Sequence, residues 1–507
     1  MKKLYQSSAN LDKRAISKFL LSEEILMENA ANSLMSLIAR ITHKQSVITI
    51  ICGSGDNGGD GYALARKLKG DYIVRVYEAK EPKSSLCKLQ AQRAQVCGVE
   101  FVKKILPCDV VVDCLFGSGF SGKLDSDFSA LLKQAQASAR VTIACDIPSG
   151  LDISNGFDGR INEAFRADYT VSMGALKVGL FSDSAKDFVG EVIVGDLGVS
   201  RSDYEVQSPF FLLEKTDLVL PIRKSKSCHK GDFGHIVFVC GEKLGASLLA
   251  AKAGLKMGAG KVSLMSAKNL SIESSLDSST HAKSNKDFSD SKDFASLQCI
   301  IAQNPEIMLD FTIPKSANVL TIGMGLGNTE INLKQMLLDF CNTHSENPRI
   351  LIDADLCYEK GLREVLQDVS LQDKIVLTPH AKEFASLAHI CGILDSSDVD
   401  LVVARRFELA LKFSQTYPHA TLLLKGANTI IAQGGKIYIN ALGSQALAKG
   451  GSGDVLCGVI SAYLAQGFSP LDSAINGSLS HALASHSEKN SYSLTPLNLI
   501  EHLGNLS

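Results

Sequence analysis

A chain of 507 residues, 45% hydrophobic and 21% charged, has an ordinary globular composition and too much length for one core, so two domains are expected. A formal net charge of −2 with no long basic run excludes nucleic acid and an anionic membrane as main partners. Thirteen cysteines lie scattered, without Cys-x-x-Cys or a ligand spacing shared with histidine, which reads as reduced core thiols in a cytoplasmic protein without structural zinc. Met1-Lys2-Lys3 leads to Asp12, Lys13 and Arg14, which interrupt any apolar run, so neither a secretion signal nor a membrane span is expected.

Ser22 is placed to cap a helix with Glu23 and Glu24 in its first turn and Leu26, Ala30, Leu34, Leu37, Ile38 and Ile41 on its apolar face. A β-branched run at 47–51 then leads into Gly53-Ser54-Gly55-Asp56-Asn57-Gly58-Gly59-Asp60-Gly61, and a helix follows through Tyr62, Leu64, Ala65 and Leu68. Strand, glycine loop and helix is the arrangement that cradles phosphate, although the spacing is neither Walker A nor a Rossmann fingerprint. Further strands are expected at 73–77, 110–115, 141–145, 169–173 and 191–194, with helices such as 86–96 between them. That alternation predicts a parallel sheet covered on both faces, with ligands at the C-terminal strand ends. Three stretches fall at those ends: the first glycine loop, Asp113 with Gly117-Ser118-Gly119-Phe120-Ser121-Gly122-Lys123, and Asp146-Ile147-Pro148-Ser149-Gly150-Leu151-Asp152. Each alone can be an ordinary turn; together they make one candidate edge.

These residues resemble the N-terminal domain of the bifunctional NAD(P)H-hydrate repair enzymes, over about residues 1–208. The resemblance implies a Rossmann-like three-layer α/β/α domain that epimerises the R and S forms of NADH hydrate and NADPH hydrate. It implies that Asn57, Asp113 and Ser149 surround K⁺, and that Asp56, Asn57, Gly58, Gly59, Asp60, Gly117, Ser118, Gly119, Phe120, Ser121, Gly122, Lys123 and Asp146 contact the hydrated dinucleotide, with Asp146 catalytic. Asp56 stands where the family has Asn.

Strand order lapses after Gly195-Asp196-Leu197-Gly198, so the boundary is set at 208, dividing 1–208 from 209–507. In the second half a strand is expected at 236–240, with Gly245-Ala246 opening a small-residue helix to Met257. The serine-rich stretch 266–296 reads as an exposed excursion. Strand-end motifs then recur: Gly323-Met324-Gly325-Leu326-Gly327, Asp353-Ala354-Asp355, Thr378-Pro379-His380, and Lys425-Gly426-Ala427-Asn428-Thr429, followed by a hairpin turning at Gly434-Gly435. Lastly, Lys449-Gly450-Gly451-Ser452-Gly453-Asp454 precedes Val455, Leu456, Val459, Ile460 and Leu464 at helical spacing, which makes a helix N-terminus suited to anions. A carboxylate there is either a helix cap or a general base acting on a hydroxyl that attacks phosphorus.

This set resembles the ribokinase-like fold and, more closely, the ADP-dependent NAD(P)H-hydrate dehydratase half of the same repair enzymes, over about 215–507. The resemblance implies that Lys425, Gly426, Ala427, Asn428, Thr429 and Gly453 contact ADP, used with Mg²⁺. It implies also that Ala246, Gly325, His380 and Asp454 contact the hydrate, with Asp454 the catalytic base. Lys449, where the family has Thr, is expected to add a phosphate contact. Small-molecule substrates and a homo-oligomer are the expected partners. Two alternatives stay open: a kinase for a sugar or pyrimidine alcohol in the second half, and a binding module without chemistry in the first.

Overall fold

The computed structural model describes residues 1–154, 160–161, 163–268, 297–299, 301–327, 331–344 and 346–507. The expected serine-rich excursion falls, from 269 onwards, outside the described residues. The chain divides into two compact units, Lys3–Phe210 and Phe211–Ser507 with Met1–Lys2.

The first unit is built on a seven-stranded sheet, parallel at every pairing. Edge to edge the order is Glu191–Gly195, Tyr169–Met173, Ala139–Cys145, Cys108–Cys114, Val47–Cys52, Ile73–Glu78 and Glu100–Val102. Period-two alternation splits the central strands between two cores. Val110 and Val112 pack with Ile48 and Ile50 beneath helices that carry Leu34, Ile38 and Leu64. Val111 packs on the opposite face with Ile51, Leu132 and Phe165. Burial on both faces is why these strands read as continuous apolar runs. Ser22 caps the helix Glu23–Ile41 by accepting from the Ile25 N–H at 3.3 Å.

One expectation is corrected here. The stretch from Asp56 to Gly61 is not loop but the first turns of the helix Asp56–Leu68. Its glycines permit close packing: a Cβ on Gly58 would lie 2.1 Å from the Gly53 carbonyl oxygen, and one on Gly61 would lie 2.8 Å from the Cys52 sulfur. Gly58→Ala should therefore destabilise this unit by about 3 kcal/mol, measurable by urea unfolding, since backbone oxygen cannot yield as a side chain can.

The second unit carries a longer sheet in the order Lys436–Asn440, Thr429–Gln433, Thr421–Leu424, Ile375–Leu377, Arg349–Ile352, Val319–Ile322, His235–Cys240, Lys261–Ser266 and Met308–Leu309. These pairings are parallel except those of Thr429–Gln433 with Thr421–Leu424 and with Lys436–Asn440, which are antiparallel. The hairpin turns at Gly434 and Gly435, with φ of 56° and 73°, as a two-residue connection between Gln433 and Lys436 requires. The helix Ser452–Ala465 is buried on all sides between Leu244–Lys256 and Pro470–Ala484. Glycines let the backbones meet: a Cβ on Gly458 would sit 2.1 Å from the Ala250 oxygen, and one on Gly477 2.5 Å from Ile460 Cγ1.

Candidate active sites

In the first unit, a cavity of about 830 Å³ opens at the C-terminal ends of the central strands. Asp56, Asn57, Asp60, Gly117, Ser118, Gly119, Phe120, Ser121 and Asp146 all line it, together with Asp12 and Met27. Gly58 and Gly59 are buried in helix packing, while Gly122 and the exposed Lys123 lie outside this lining. The Gly122 N–H is instead held by Asp152 at 2.8 Å, which fixes the end of that loop. Asp56, at the mouth, accepts from the Ser84 hydroxyl at 2.6 Å.

Asp113 is fully buried at the end of its strand. It accepts from the Ser149 N–H at 2.8 Å, the Ser149 hydroxyl at 2.7 Å and the Leu115 N–H at 3.1 Å. Burial pushes its carboxyl up to about 6, against the opposing pull of those bonds. Asn57 packs against Gly117, and its amide nitrogen is buried without a hydrogen-bond partner among the described residues. A buried carboxylate with neutral donors only, beside a serine hydroxyl and with the Asn57 side-chain oxygen against Gly117, supplies the hard oxygen donors that suit a monovalent cation.

Asp146 has a left-handed backbone, φ 65°. Its Oδ1 accepts from Lys177 Nζ and from the Met173 N–H at 3.0 Å, and its Oδ2 from the Ser118 N–H at 3.3 Å. Burial, with the charges of Asp146 and Asp56, holds the Asp60 carboxyl well above its usual range. Burial likewise raises Asp12, although Tyr204 donates to it at 2.6 Å. Lys177 and Asp12 were not singled out from the sequence. The signal for Lys177 was present in a lone lysine inside Ala175-Leu176-Lys177-Val178; Asp12 has no comparable mark.

In the second unit, Gly451 takes φ 89° and starts the helix, which puts Asp454 in its first turn. The Asp454 carboxylate accepts no hydrogen bond among the described residues, so it does not act as a cap. Burial, then Asp353, raises it to about 6, while Lys425 opposes them. Lys425 Nζ lies 2.8 Å from Asp353 and 3.8 Å from Glu383, and a Cβ on Gly453 would be 3.7 Å from it. Burial works to lower this ammonium, but Asp353 outweighs it and keeps the proton on. Arg406, itself buried, donates to the carbonyls of Leu424, Lys425 and Asn428 at 3.3, 3.0 and 3.4 Å. A Cβ on Gly426 would lie 2.2 Å from that guanidinium, which is why glycine stands there.

His380 caps the helix Ala381–Ile390 reciprocally with Glu383, accepting from the Glu383 N–H at 3.1 Å. Gly325, φ 58°, accepts from the Lys243 N–H at 3.0 Å, two residues upstream of Gly245-Ala246. Gly323 packs on the Asp353 carbonyl. These contacts link the Gly325 loop, Asp353, Lys425, His380 and Asp454 through shared neighbours. Thr429 begins the hairpin strand, and Asn428 is buried beside Arg406. The expected phosphate contact from Lys449 is not supported by its geometry, because its ammonium donates to the Tyr492 carbonyl at 2.8 Å.

Two α/β units, each with carboxylates gathered at the sheet's C-terminal edge or a glycine-led helix start, define a two-domain enzyme. The family model for the YjeF-related protein N-terminus matches residues 23–179, and that for NAD(P)H-hydrate dehydratase matches 236–505. The chain is 44% identical over 519 residues to the bifunctional NAD(P)H-hydrate repair enzyme of Helicobacter pylori, covering 100% of each. It is 31% identical to that of Thermofilum pendens, covering 97% of this chain and 93% of the other. The chain belongs to the bifunctional NAD(P)H-hydrate repair enzymes, with an epimerase domain followed by a dehydratase domain. Among solved structures, a ribokinase-like superfamily protein from Enterococcus faecalis is 22% identical at TM-score 0.44, covering 59% of this chain and 96% of its own. The ADP/ATP-dependent NAD(P)H-hydrate dehydratase of Bacillus subtilis, co-crystallised with ATP/Mg²⁺, is 21% identical at TM-score 0.40, covering 56% and 92%. No described helix is long and apolar enough to cross a membrane.

Proposed function

We propose that the first domain interconverts the R and S epimers of NADH hydrate and NADPH hydrate in the cavity bounded by Asp60 and Asp146, and that the second dehydrates the S epimer with ADP. The observation that carries the reading is the Asp454 carboxylate, without a hydrogen bond among the described residues and half-buried at a glycine-led helix start beside Lys425. Asp454 takes the proton of the ring hydroxyl as its oxygen forms a bond to the terminal phosphorus of ADP, and the phosphorus–oxygen bond to AMP breaks. The phosphate then leaves with its bonding pair, pushed by the ring-nitrogen lone pair, and loss of a ring proton restores the reduced cofactor. Lys425 and the first-turn N–H groups at Gly453 hold the phosphoryl charge, with Lys425, Gly426, Ala427, Asn428 and Thr429 along the nucleotide. Ala246, Gly325 and His380 surround the hydrate. Mg²⁺ bound with the nucleotide would supply neutralisation of the phosphate charge.

Asn57, Asp113 and Ser149 would hold K⁺, which supplies a fixed positive charge near the anionic substrate. Asp146 moves the proton in epimerisation. The thirteen cysteines are all free thiols, which fits a reducing cytoplasm. The reading is tested by incubating the chain with S hydrate and ADP and measuring AMP, phosphate and reduced-cofactor absorbance together. Equal yields of the three are expected; turnover with ATP but not ADP overturns the donor, and a stable phosphorylated alcohol overturns the dehydratase reading in favour of a kinase.

A further inference from the structure

We infer that Lys177 is a positioning residue for epimerisation, which ties one oxygen of Asp146 so that the other is presented to the substrate cavity. The inference rests on the reading of Asp146 as the proton-transfer group of the first domain. Lys177 is 0% exposed, an unfavourable place for an ammonium unless every N–H is used. All three are: Nζ donates to Asp146 Oδ1, to the Ser172 hydroxyl at 3.2 Å and to the Met173 carbonyl at 3.0 Å. Asp146 Oδ1 is thereby doubly engaged, by Lys177 and by the Met173 N–H. Among the described residues Oδ2 has only the longer bond from Ser118, a residue of the cavity wall. A carboxylate with one oxygen anchored and one open keeps its direction while it exchanges a proton.

The left-handed backbone of Asp146 strengthens the case. Aspartate tolerates that conformation better than most residues, and here the Asp146 N–H to Val171 oxygen bond, 2.8 Å, fixes it from the main chain while Lys177 fixes it from the side chain. The titratable groups facing Asp146 are Asp12, Asp60, Cys145, Tyr204 and Lys177. Lys177 is the cation bonded directly to Asp146, so its removal leaves the Asp146 carboxylate without that counter-charge. Asp60, whose carboxyl burial pushes well above its usual range, is the second acid–base group beside Asp146.

The test follows conversion of one purified epimer of NADH hydrate into the other by the full chain, across pH. Lys177→Met should lower kcat on the order of 100-fold with KM little changed, and should move the acid limb of the profile upwards by about one pH unit or more. Lys177→Arg, which keeps the charge, should leave that limb in place. Should Lys177→Met fail to fold by circular dichroism, Lys177→Gln, which keeps donors without charge, makes the same comparison. A loss that is equal at every pH, or confined to KM, makes Lys177 a packing residue and overturns the proposal. Asp146→Asn is measured in parallel. If it abolishes epimerisation while the Lys177 profile does not move, the positioning role alone falls; if it epimerises normally, the reading of Asp146 falls and the positioning role with it.

Discussion

Asp454→Asn should lower the dehydration rate on the order of 100-fold or more while epimerisation by the same chain is unchanged. The substitution preserves shape but removes the lone pair that accepts the hydroxyl proton. Because the carboxylate makes no hydrogen bond among the described residues, no cap is lost and melting temperature should not fall. Nucleotide affinity should hold or rise, since a negative charge beside the phosphates has gone. A base must be ionised to act, and burial raises this one to about 6. Wild-type dehydration should therefore be full above that pH and decline as pH falls through it. Near-normal dehydration by Asp454→Asn, with epimerisation also normal, would make the residue structural.

The second large effect is expected at Asp113. With its buried carboxyl raised to about 6, the folded chain holds a proton there that the unfolded chain has lost above about 4. Between those values stability falls as pH rises, since the buried group must ionise without a counter-charge. K⁺ held by Asn57, Asp113 and Ser149, as proposed, would offset that cost by favouring the ionised form. Added potassium should consequently raise the melting temperature of the first domain at pH 7 or 8 and have little effect at pH 5. Asp113→Asn should abolish the pH-dependent gain and slow epimerisation at least tenfold, leaving dehydration intact. A potassium response identical to wild type in that variant would remove Asp113 from the cation site.

Much of the architecture was legible because the strands that matter are fully buried and β-branched. Val47–Cys52, Tyr169–Met173 and His235–Cys240 occur where the strands expected at 47–51, 169–173 and 236–240 put them. The hairpin at Gly434-Gly435 was equally plain, as two adjacent glycines between alternating strands have few other uses. Less legible was anything decided by packing across the chain. Gly58 and Gly59 read as loop because glycine weakens a helix by roughly 0.5–1 kcal/mol, yet here the backbone approach they permit outweighs that loss. Lys261–Ser266 and Met308–Leu309 went unread: the first mixes serine and lysine into its run, and the second is two residues long. Lys177 was missed for a different reason. Its role comes from Asp146, thirty-one positions away, and no local period records such a pair.

The helix Ser452–Ala465, buried on every side and meeting its neighbours backbone to backbone at Gly458, has a consequence for hydrogen exchange. Amides in such an element have no local opening route, so they exchange only when the whole domain unfolds. Their protection factors thus read the global stability of the dehydratase domain directly. ADP that binds the folded form alone should slow those amides by the factor 1 + [ADP]/Kd, whether or not any hydrate is present. The same helix that mounts Asp454 then serves as a gauge of nucleotide occupancy, and it works in the Asp454→Asn protein, where catalysis reports nothing.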